Sequence, residues 1–287
     1  MSLTIVIVTF KSQHLISNLI KSIPEEFNIL IVENSKDLEL KSFLESSYKN
    51  VKVYIPEENL GYARGVNYGV RKASTKYVLC LVADVIFEKQ TFFLLEKIIK
   101  KFDFAIVAPT FKDEKIYKNY VMMENSNLKT FEVDNFQLIQ VKEVDGAAFV
   151  INKDKFKDNV MDDRIFMYFE NTDMCLNTLR RGEKIFAILN LKFDHLGLQS
   201  SEEKYLSEIR KNRNWHYCWS KFYYYKKNYN YFYALSKITP NFFRAAKILF
   251  KSLIRRDAKM YQNSKAELLG IINSILNKKS SYRPKIS

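Results

Sequence analysis

Four carboxylates fall within twelve residues, Asp162, Asp163, Glu170 and Asp173, and the last two stand three apart at the start of a helical pattern. That spacing puts Glu170 and Asp173 on one face of a first helical turn, where negative charge is favoured. A carboxylate held about 2.6–3.2 Å from a hydroxyl can take its proton as the oxygen attacks an electrophile. The same pair also suits a structural task, capping the helix. Asp84 closes the most apolar stretch of the chain, and a lone carboxylate there is costly unless it is paired or binds a metal. It reads as a metal ligand, or else as the cap of a following turn. His195 comes after a strand-like run at 184–191 and, as a lone histidine, reads as a structural imidazole; His14 and His216 have no comparable context.

Gly61, Gly65 and Gly69 recur every four residues through a loop and helix, where each glycine costs about 1 kcal/mol relative to alanine. Something must approach the backbone closely, either a ligand or the neighbouring sheet. The spacing lacks the Gly-Lys-Ser/Thr ending of a Walker loop and is not a G-x-G-x-x-G fingerprint. Arg64, inside this segment, can pair with an anion through charge-assisted hydrogen bonds or stay solvated.

The elements that must position these side chains alternate between strand and helix. Residues 3–9 are rich in β-branched types, 12–22 have helical spacing, and 27–32 return to strand. Helices are expected at 38–46, 62–72 and 94–101, with strands at 51–55, 77–82 and 104–108, the last stopped by Pro109. Such alternation predicts an α/β fold, a mostly parallel sheet flanked by helices in the Rossmann-like manner. Ligands of open α/β sheets bind beyond the carboxyl ends of the strands, so Thr9 and Glu33 should face that crevice. Residues 112–143 have poor periodicity and read as a variable loop or β-excursion. A strand at 144–151, a helix at 173–181 and the strand at 184–191 finish a domain placed at 1–200.

Residues 201–287 differ in kind and read as a separate helical C-terminal region. From 203 onward there are 19 Lys and Arg against 4 Asp and Glu, while residues 1–202 hold 27 against 28, so this region carries the whole excess of the +14 formal charge. Eleven of the 19 residues from 215 to 233 are aromatic. Along 242–256, Phe242, Ala245, Ala246, Leu249 and Leu253 share one helical face, with Arg244, Lys247, Lys251 and Arg255 opposite. A basic amphipathic helix flanked by aromatics suits an anionic membrane surface, or a helix packed on its own domain. Nucleic acid is the less suited partner. The composition, 47% hydrophobic and 27% charged with 7 Gly and 5 Pro, excludes a disordered or collagen-like chain. Three cysteines without a CxxC pair argue against a disulfide framework or structural zinc and favour a reducing compartment. No secretion signal or membrane-spanning stretch is evident, so a cytoplasmic protein, peripheral at the inner membrane face, is expected.

Taken in order, residues 5–10, 31–35, the segment Asn59-Leu60-Gly61-Tyr62-Ala63-Arg64-Gly65-Val66-Asn67, residues 81–85 and the stretch from Tyr168 through Cys175 to His195 resemble the family-2 glycosyltransferases with the GT-A fold. The resemblance spans roughly residues 3–200. Lys265 to Gly270 and the helix after it look like the carboxy-terminal helix of the rhamnosyltransferase-like branch. The resemblance implies an inverting transfer of a sugar from a nucleoside diphosphate donor, a UDP- or dTDP-sugar with rhamnose foremost, to a hydroxyl of a surface polysaccharide or lipid-linked glycan. It implies that Thr9, Glu33, Asn59, Gly61, Arg64, Asn67 and Asp84 line the donor site, with Asp145 to Ala148 near donor sugar and acceptor. It also implies that Asp84 and His195 hold a divalent cation, Mn2+ or Mg2+, and that Glu170 or Asp173 is the base. In the family's E-D-x-D pattern the frequent base position is here Asn171, an amide, and the first two positions of its D-x-D motif are Val82 and Ala83. Those departures leave a membrane-bound scaffold of transferase origin as an alternative. A sugar nucleotidyltransferase is the other, although Thr9-Phe10-Lys11-Ser12 lacks the glycines of its phosphate loop.

Overall fold

A computed structural model describes residues 1–114, 117–124, 130–196 and 203–284. The chain opens with β1 (Leu3–Thr9), α1 (Gln13–Ser22), β2 (Asn28–Glu33), α2 (Leu38–Ser47), β3 (Val51–Tyr54), α3 (Gly61–Lys72) and β4 (Tyr77–Val82). It continues through β5 (Val85–Ile86), α4 (Lys89–Ile98), β6 (Ile106–Phe111), β7 (Tyr120–Met122), β8 (Phe131–Val133), β9 (Phe136–Val144) and β10 (Ala148–Asn152). After α5 (Glu170–Arg180) and β11 (Ile185–His195) come three helices, α6 (Leu206–Asn228), α7 (Tyr231–Arg255) and α8 (Ala258–Ile275).

The strands form one sheet in the order β3-β2-β1-β4-β10-β6-β11-β9-β7. It is parallel from β3 to β4 and again between β6 and β11, while β10 and β9 insert antiparallel to their neighbours. Alternation along β1 explains the layering, because successive side chains point to opposite faces. Ile5 and Ile7 pack with Ile16 of α1 and Leu44 of α2, and Val6 packs with Ala63 and Val66 of α3. Gly65 and Gly69 let α3 lie against β1: a Cβ at Gly65 would come within 2.8 Å of Val8, and one at Gly69 would overlap Val6. Two of the three regularly spaced glycines are therefore explained by helix-to-sheet packing.

Several boundaries differ from the sequence pattern. Helix α4 begins five residues earlier than expected. β6 passes through Pro109, which falls where the ladder to β10 has ended and the ladder to β11 is interrupted between Ile188 and Lys192, so the missing N–H is tolerated. The expected strand at 144–151 is divided by the turn at Asp145 and Gly146. The segment expected to be a variable loop or β-excursion carries the strands β7, β8 and β9, of which β9 is the longest. The three cysteines, Cys80, Cys175 and Cys218, are buried and unbridged, in agreement with the sequence reading.

Helices α6, α7 and α8 pack on one another around Cys218, Phe222, Ala234, Ile238 and Ile271. The aromatic stretch divides accordingly: Trp215, Trp219, Phe222 and Tyr224 are buried, while Tyr229 and Phe232 are exposed. The inner face of α7 is formed by Ala234, Ile238, Ala245 and Ser252, which are buried. Other large apolar residues of the helix face out: Phe232, Phe243, Phe250 and Ile254 are 80%, 66%, 67% and 70% exposed. No described helix is long and apolar enough to cross a membrane.

Gly270 of α8 lies against the backbone of α6, where a Cβ would overlap the Trp215 carbonyl oxygen. Gly270→Ala in a free helix would add about 1 kcal/mol of stability. Here overpacking, about 1–3 kcal/mol, outweighs that gain. The urea midpoint should fall, and a rise would show that α6 and α8 are not in such close contact.

Candidate functional site

A cleft of about 410 Å³ opens where the carboxyl ends of β1 and β4 meet the start of β10. The register demands this convergence, since Val8 pairs with Val82 and the Val82 N–H donates to the Ala147 carbonyl at 3.1 Å. Thr9 enters from the end of β1, Asp84 from the turn after β4, and Asp145 to Ala147 from the β9–β10 turn. His195 comes from the end of β11. It is carried to Asp84 by the short strand β5, since His195 pairs with Val85 and the Leu196 N–H donates to the Asp84 carbonyl at 2.9 Å. His195 Nε2 lies 3.3 Å from Asp84 Oδ1. The hydrogen bond to Asp84 raises the imidazole pKa above its ordinary value.

The opposite wall is the turn at residues 166–169, which leads into α5. Tyr168 and Phe169 both adopt left-handed backbone, φ 67° and 64°, a conformation costing about 1–2 kcal/mol per non-glycine residue. Packing holds them there. The Tyr62 N–H donates to the Phe166 carbonyl at 2.8 Å, and Gly61, at φ 71°, lets the chains touch because a Cβ would overlap that same carbonyl. From α6, Ser220 Oγ donates to the Met167 carbonyl at 2.8 Å, and Tyr217 and Tyr224 contact the Phe169 ring.

This turn delivers Glu170 to the cleft with its side chain sealed in. Glu170 is 7% exposed and its Oε2 has no hydrogen-bond partner. Burial, reinforced by the negative charge of Asp145, pushes its pKa up to about 7. Two other buried polar atoms lack partners among the described residues, Thr9 Oγ1 and Asn212 Oδ1, and both residues line the same cleft. Native proteins seldom leave such atoms unpaired, and their collection in one cavity marks a place where a ligand supplies the partners.

The other carboxylates have structural partners. Asp173 accepts hydrogen bonds from Asn228 Nδ2 at 2.7 Å and Lys227 Nζ at 2.6 Å, tying α5 to α6, and it does not line the cleft. Asp162 is bonded to Arg164, Lys227 and Tyr223, and the two cations hold its carboxyl well below the usual range. Glu33 receives the backbone N–H groups of Ser35 and Asp37 and the Ser35 hydroxyl, closing the turn before α2. Asn67 is spent on Met161 and Asp163, and Arg64 pairs with Glu58 at 2.7 Å. None of Glu33, Arg64 and Asn67 lines the cleft, whereas Thr9, Asn59, Gly61, Asp84, Glu170 and His195 all do. Asn171 also lines it, with its amide donating to the Val144 carbonyl at 3.1 Å and to Glu143. Gly197, Gln199 and Ser200, which follow His195 in the sequence pattern, lie outside the described residues.

Sequence reasoning missed Asn34, Asn212 and Arg213. Asn34 lines the cleft and accepts the Leu60 N–H at 2.9 Å. Asn212 and Arg213 belong to α6, and Arg213 is the cation that the cleft wall contains. A signal existed: Asn212 and His216 interrupt a face otherwise formed by Ile209, Trp215 and Trp219. His216 is not part of the cleft. Its Nε2 donates to the Tyr282 carbonyl at 2.9 Å and its Nδ1 accepts from Ser280 Oγ at 2.9 Å, and burial pushes its pKa down to about 3.

Among the described residues no three His, Cys, Asp or Glu side chains are grouped to hold a metal. Asp84 and His195 offer one carboxylate and one imidazole. That donor set fits a divalent cation whose remaining oxygens come from phosphates and water, the usual manner for Mg2+, and does not form an all-protein cage.

Residues 4–160 match the profile of Glycosyl transferase family 2. The chain is 23% identical over 223 residues to the low-salt glycan biosynthesis hexosyltransferase Agl10 of Haloferax volcanii, covering 71% of this chain and 72% of the relative. Among solved structures it is similar to the mannosyltransferase PcManGT of Pyrobaculum calidifontis in complex with GDP-Man and Mn2+, with a TM-score of 0.58 at 10% identity over 97% of this chain and 88% of that one. It is also similar to residues 1–349 of TarS from S. aureus with UDP, with a TM-score of 0.51 at 12% identity over 100% of this chain and 94% of that one. These likenesses establish the GT-A-type fold with its helical C-terminal region.

The raised pKa of Glu170 has a thermodynamic consequence. The unfolded carboxyl loses its proton near pH 4.5 and the folded one near 7, so stability falls as pH rises between those values, and the cost is complete above about 7. Glu170→Gln should therefore gain stability relative to the wild type as pH rises from 4 to 8, by up to about 3 kcal/mol. Urea titrations at both pH values measure it; a pH-independent difference would refute the perturbed carboxyl.

Proposed function

The chain belongs to glycosyl transferase family 2, and we propose that it transfers a sugar from a nucleoside diphosphate donor to an acceptor hydroxyl with inversion at the anomeric carbon. The observation that carries the reading is Glu170: a buried carboxylate with one oxygen unpartnered and a pKa near neutrality, in the same cleft as Asp84 and His195. As base, Glu170 Oε2 takes the acceptor hydroxyl proton while the oxygen bonds to the anomeric carbon and the bond from that carbon to the diphosphate breaks, the electron pair leaving with the diphosphate. A pKa near the working pH suits this task. Asp173, held by Lys227 and Asn228, positions α5 and does not serve as base, and the Asn171 amide cannot take a proton. Glu170 thus keeps a competent base in the site, which favours an enzyme over a scaffold.

Arg213 replaces Arg64 as the protein cation facing the leaving diphosphate. Thr9 Oγ1 and Asn212 Oδ1 find their missing partners on the donor. A divalent cation bound by Asp84 and His195 would offset the charge of the departing diphosphate. Uridine and thymidine diphosphates head the candidate donors, with rhamnose the first sugar to test.

The acceptor reading is a lipid-linked or surface glycan reached at a membrane face. Its support is the outward stripe of Phe232, Phe243, Phe250 and Ile254 on α7, flanked by Arg244, Lys247 and Lys251. Exposed aromatics beside cations are the composition of an interfacial helix.

Thermal shift with UDP, dTDP, GDP and CDP, with and without Mn2+, should show one nucleotide stabilising the protein more in the presence of metal. Asp84→Ala should remove the metal-dependent increment. Glu170→Gln should keep the nucleotide shift but lower kcat by about 10²–10⁴. Loss of the shift with all four nucleotides would sink the reading, and unchanged turnover in Glu170→Gln would reassign the base.

Sedimentation with vesicles containing phosphatidylglycerol tests the membrane face. Wild type should pellet at low salt and the Phe243→Ser/Phe250→Ser variant should stay in solution; equal pelleting of both would remove α7 from the contact.

A further inference from the structure

A second cavity, of about 960 Å³, is lined in part by the C-terminal tail, Asn277 to Ser281 and Arg283. Phe166 lines both cavities. The second one is strongly basic, with Glu58 and Asp163 the only acids in its lining. Some of its cations already have partners: Arg64 is on Glu58, Arg164 and Lys227 share Asp162, and Lys226 donates to Asn277. Three are different. Lys278 and Lys279 have no carboxylate partner among the described residues, and Arg283 bonds only to the backbone carbonyls of Ser280, at 2.9 Å, and Tyr282, at 2.7 Å. The Arg283 guanidinium stands 3.9 Å from the centre of the Phe166 ring. Burial lowers its pKa, while the charge of Glu58 acts in the opposite direction and that of Arg64 adds to the lowering.

Trp219 and Tyr223 stack at 5.0 Å and line the same cavity, with Trp215 stacked on Trp219 and the Arg164 guanidinium over the Tyr223 ring, so the pair meets the cavity along its apolar ring edges. The chemistry of the cavity is attraction for a fixed anion next to apolar ring edges.

We propose that this cavity is a second anion site, which binds a phosphate or diphosphate ester carried by the acceptor while the donor occupies the neighbouring cleft. The proposal rests on the transferase reading above and names the acceptor class: a phosphorylated glycan or a lipid phosphate. The two sources share the phosphate ester and differ in what lies beyond it.

The chain has two tryptophans, Trp215 and Trp219. Trp219 lines the cavity, so intrinsic fluorescence of the full chain reports occupancy. Titrations with octyl phosphate, glucose 1-phosphate and uncharged octyl glucoside, each with and without saturating UDP and Mn2+, form the test. At least one phosphate ester should bind, octyl glucoside should not, and UDP should not displace the ester. Preference for octyl phosphate indicates a lipid source, and preference for glucose 1-phosphate a soluble one. Lys278→Glu/Lys279→Glu, both exposed positions, should weaken the ester by about tenfold or more, the loss of a charge-assisted contact, with the nucleotide thermal shift intact. Arg283→Gln should act in the same direction. No binding of either ester, full competition by UDP, or unchanged affinity in the charge-reversed variant would overturn the proposal. Retained ester binding with no nucleotide shift would instead count against the transferase reading and leave the anion site standing.

Discussion

The contact between Gly61 and the backbone of Phe166 is the constraint on which the site depends. It exists because Gly61 has no side chain and takes a left-handed φ, so that the next N–H, that of Tyr62, can reach the Phe166 carbonyl. With Phe166 fixed, the chain has three residues in which to turn into α5, and it does so through two left-handed positions, Tyr168 and Phe169. The strain of those positions is held by rings and hydrogen bonds from α6. What results is the placement of Glu170 in a sealed wall opposite the ends of β1 and β4.

The helical C-terminal region is thus part of the site. Helix α6 clamps the Met167 carbonyl through Ser220, fixes α5 through Asn228 and Lys227 on Asp173, and lends Asn212 and Arg213 to the cleft. The C-terminal tail adds a further brace, since Phe166 stacks on the buried, neutral His216 that holds Ser280 and Tyr282. Glu170 and Asp173 illustrate the division of labour between neighbours one helical turn apart. The first is desolvated with an oxygen left over, and the second is satisfied on both oxygens by α6. Breaking the buried ion pair at Asp173 would leave an uncompensated charge in the α5–α6 interface, whereas neutralising Glu170 removes a cost the fold carries for function.

Charge is distributed on the same plan. The sheet and its helices are close to neutral, and the excess of lysine and arginine lies on the helices and tail that follow. Part of that excess is internal, consumed by Asp162, Asp173 and Glu267. The remainder includes Lys247 and Lys251 on α7 and Lys278 and Lys279 beside the tail cavity, which are exposed.

Most of the fold was legible in the sequence because it is written in local periodicity. The β-branched run of β1, the helical spacing of α1 and the buried pattern of β4 each declare an element within one short window. The strand ends that frame an α/β crevice follow from that alternation, which places Thr9 at the cleft. By the same reasoning Glu33 should face the crevice, but it instead closes the turn before α2, and Asp84 stands out as a lone carboxylate at the end of the most apolar stretch. The segment motif that carried Asn59 and Gly61, and the residue order that carried His195, added the rest. Which carboxylate is left unpartnered could not be read in this way. Glu170 and Asp173 are equivalent by spacing, and they differ only because α6, more than thirty residues later, supplies Lys227 and Asn228 to one of them. Arg64 and Arg213 exchange places for the same reason, since Glu58 captures the first while helix packing brings the second to the cleft wall. Sequence periodicity fixes the elements and one face of each; the partners of a polar side chain are set by distant segments meeting in three dimensions, and only the tertiary structure decides them.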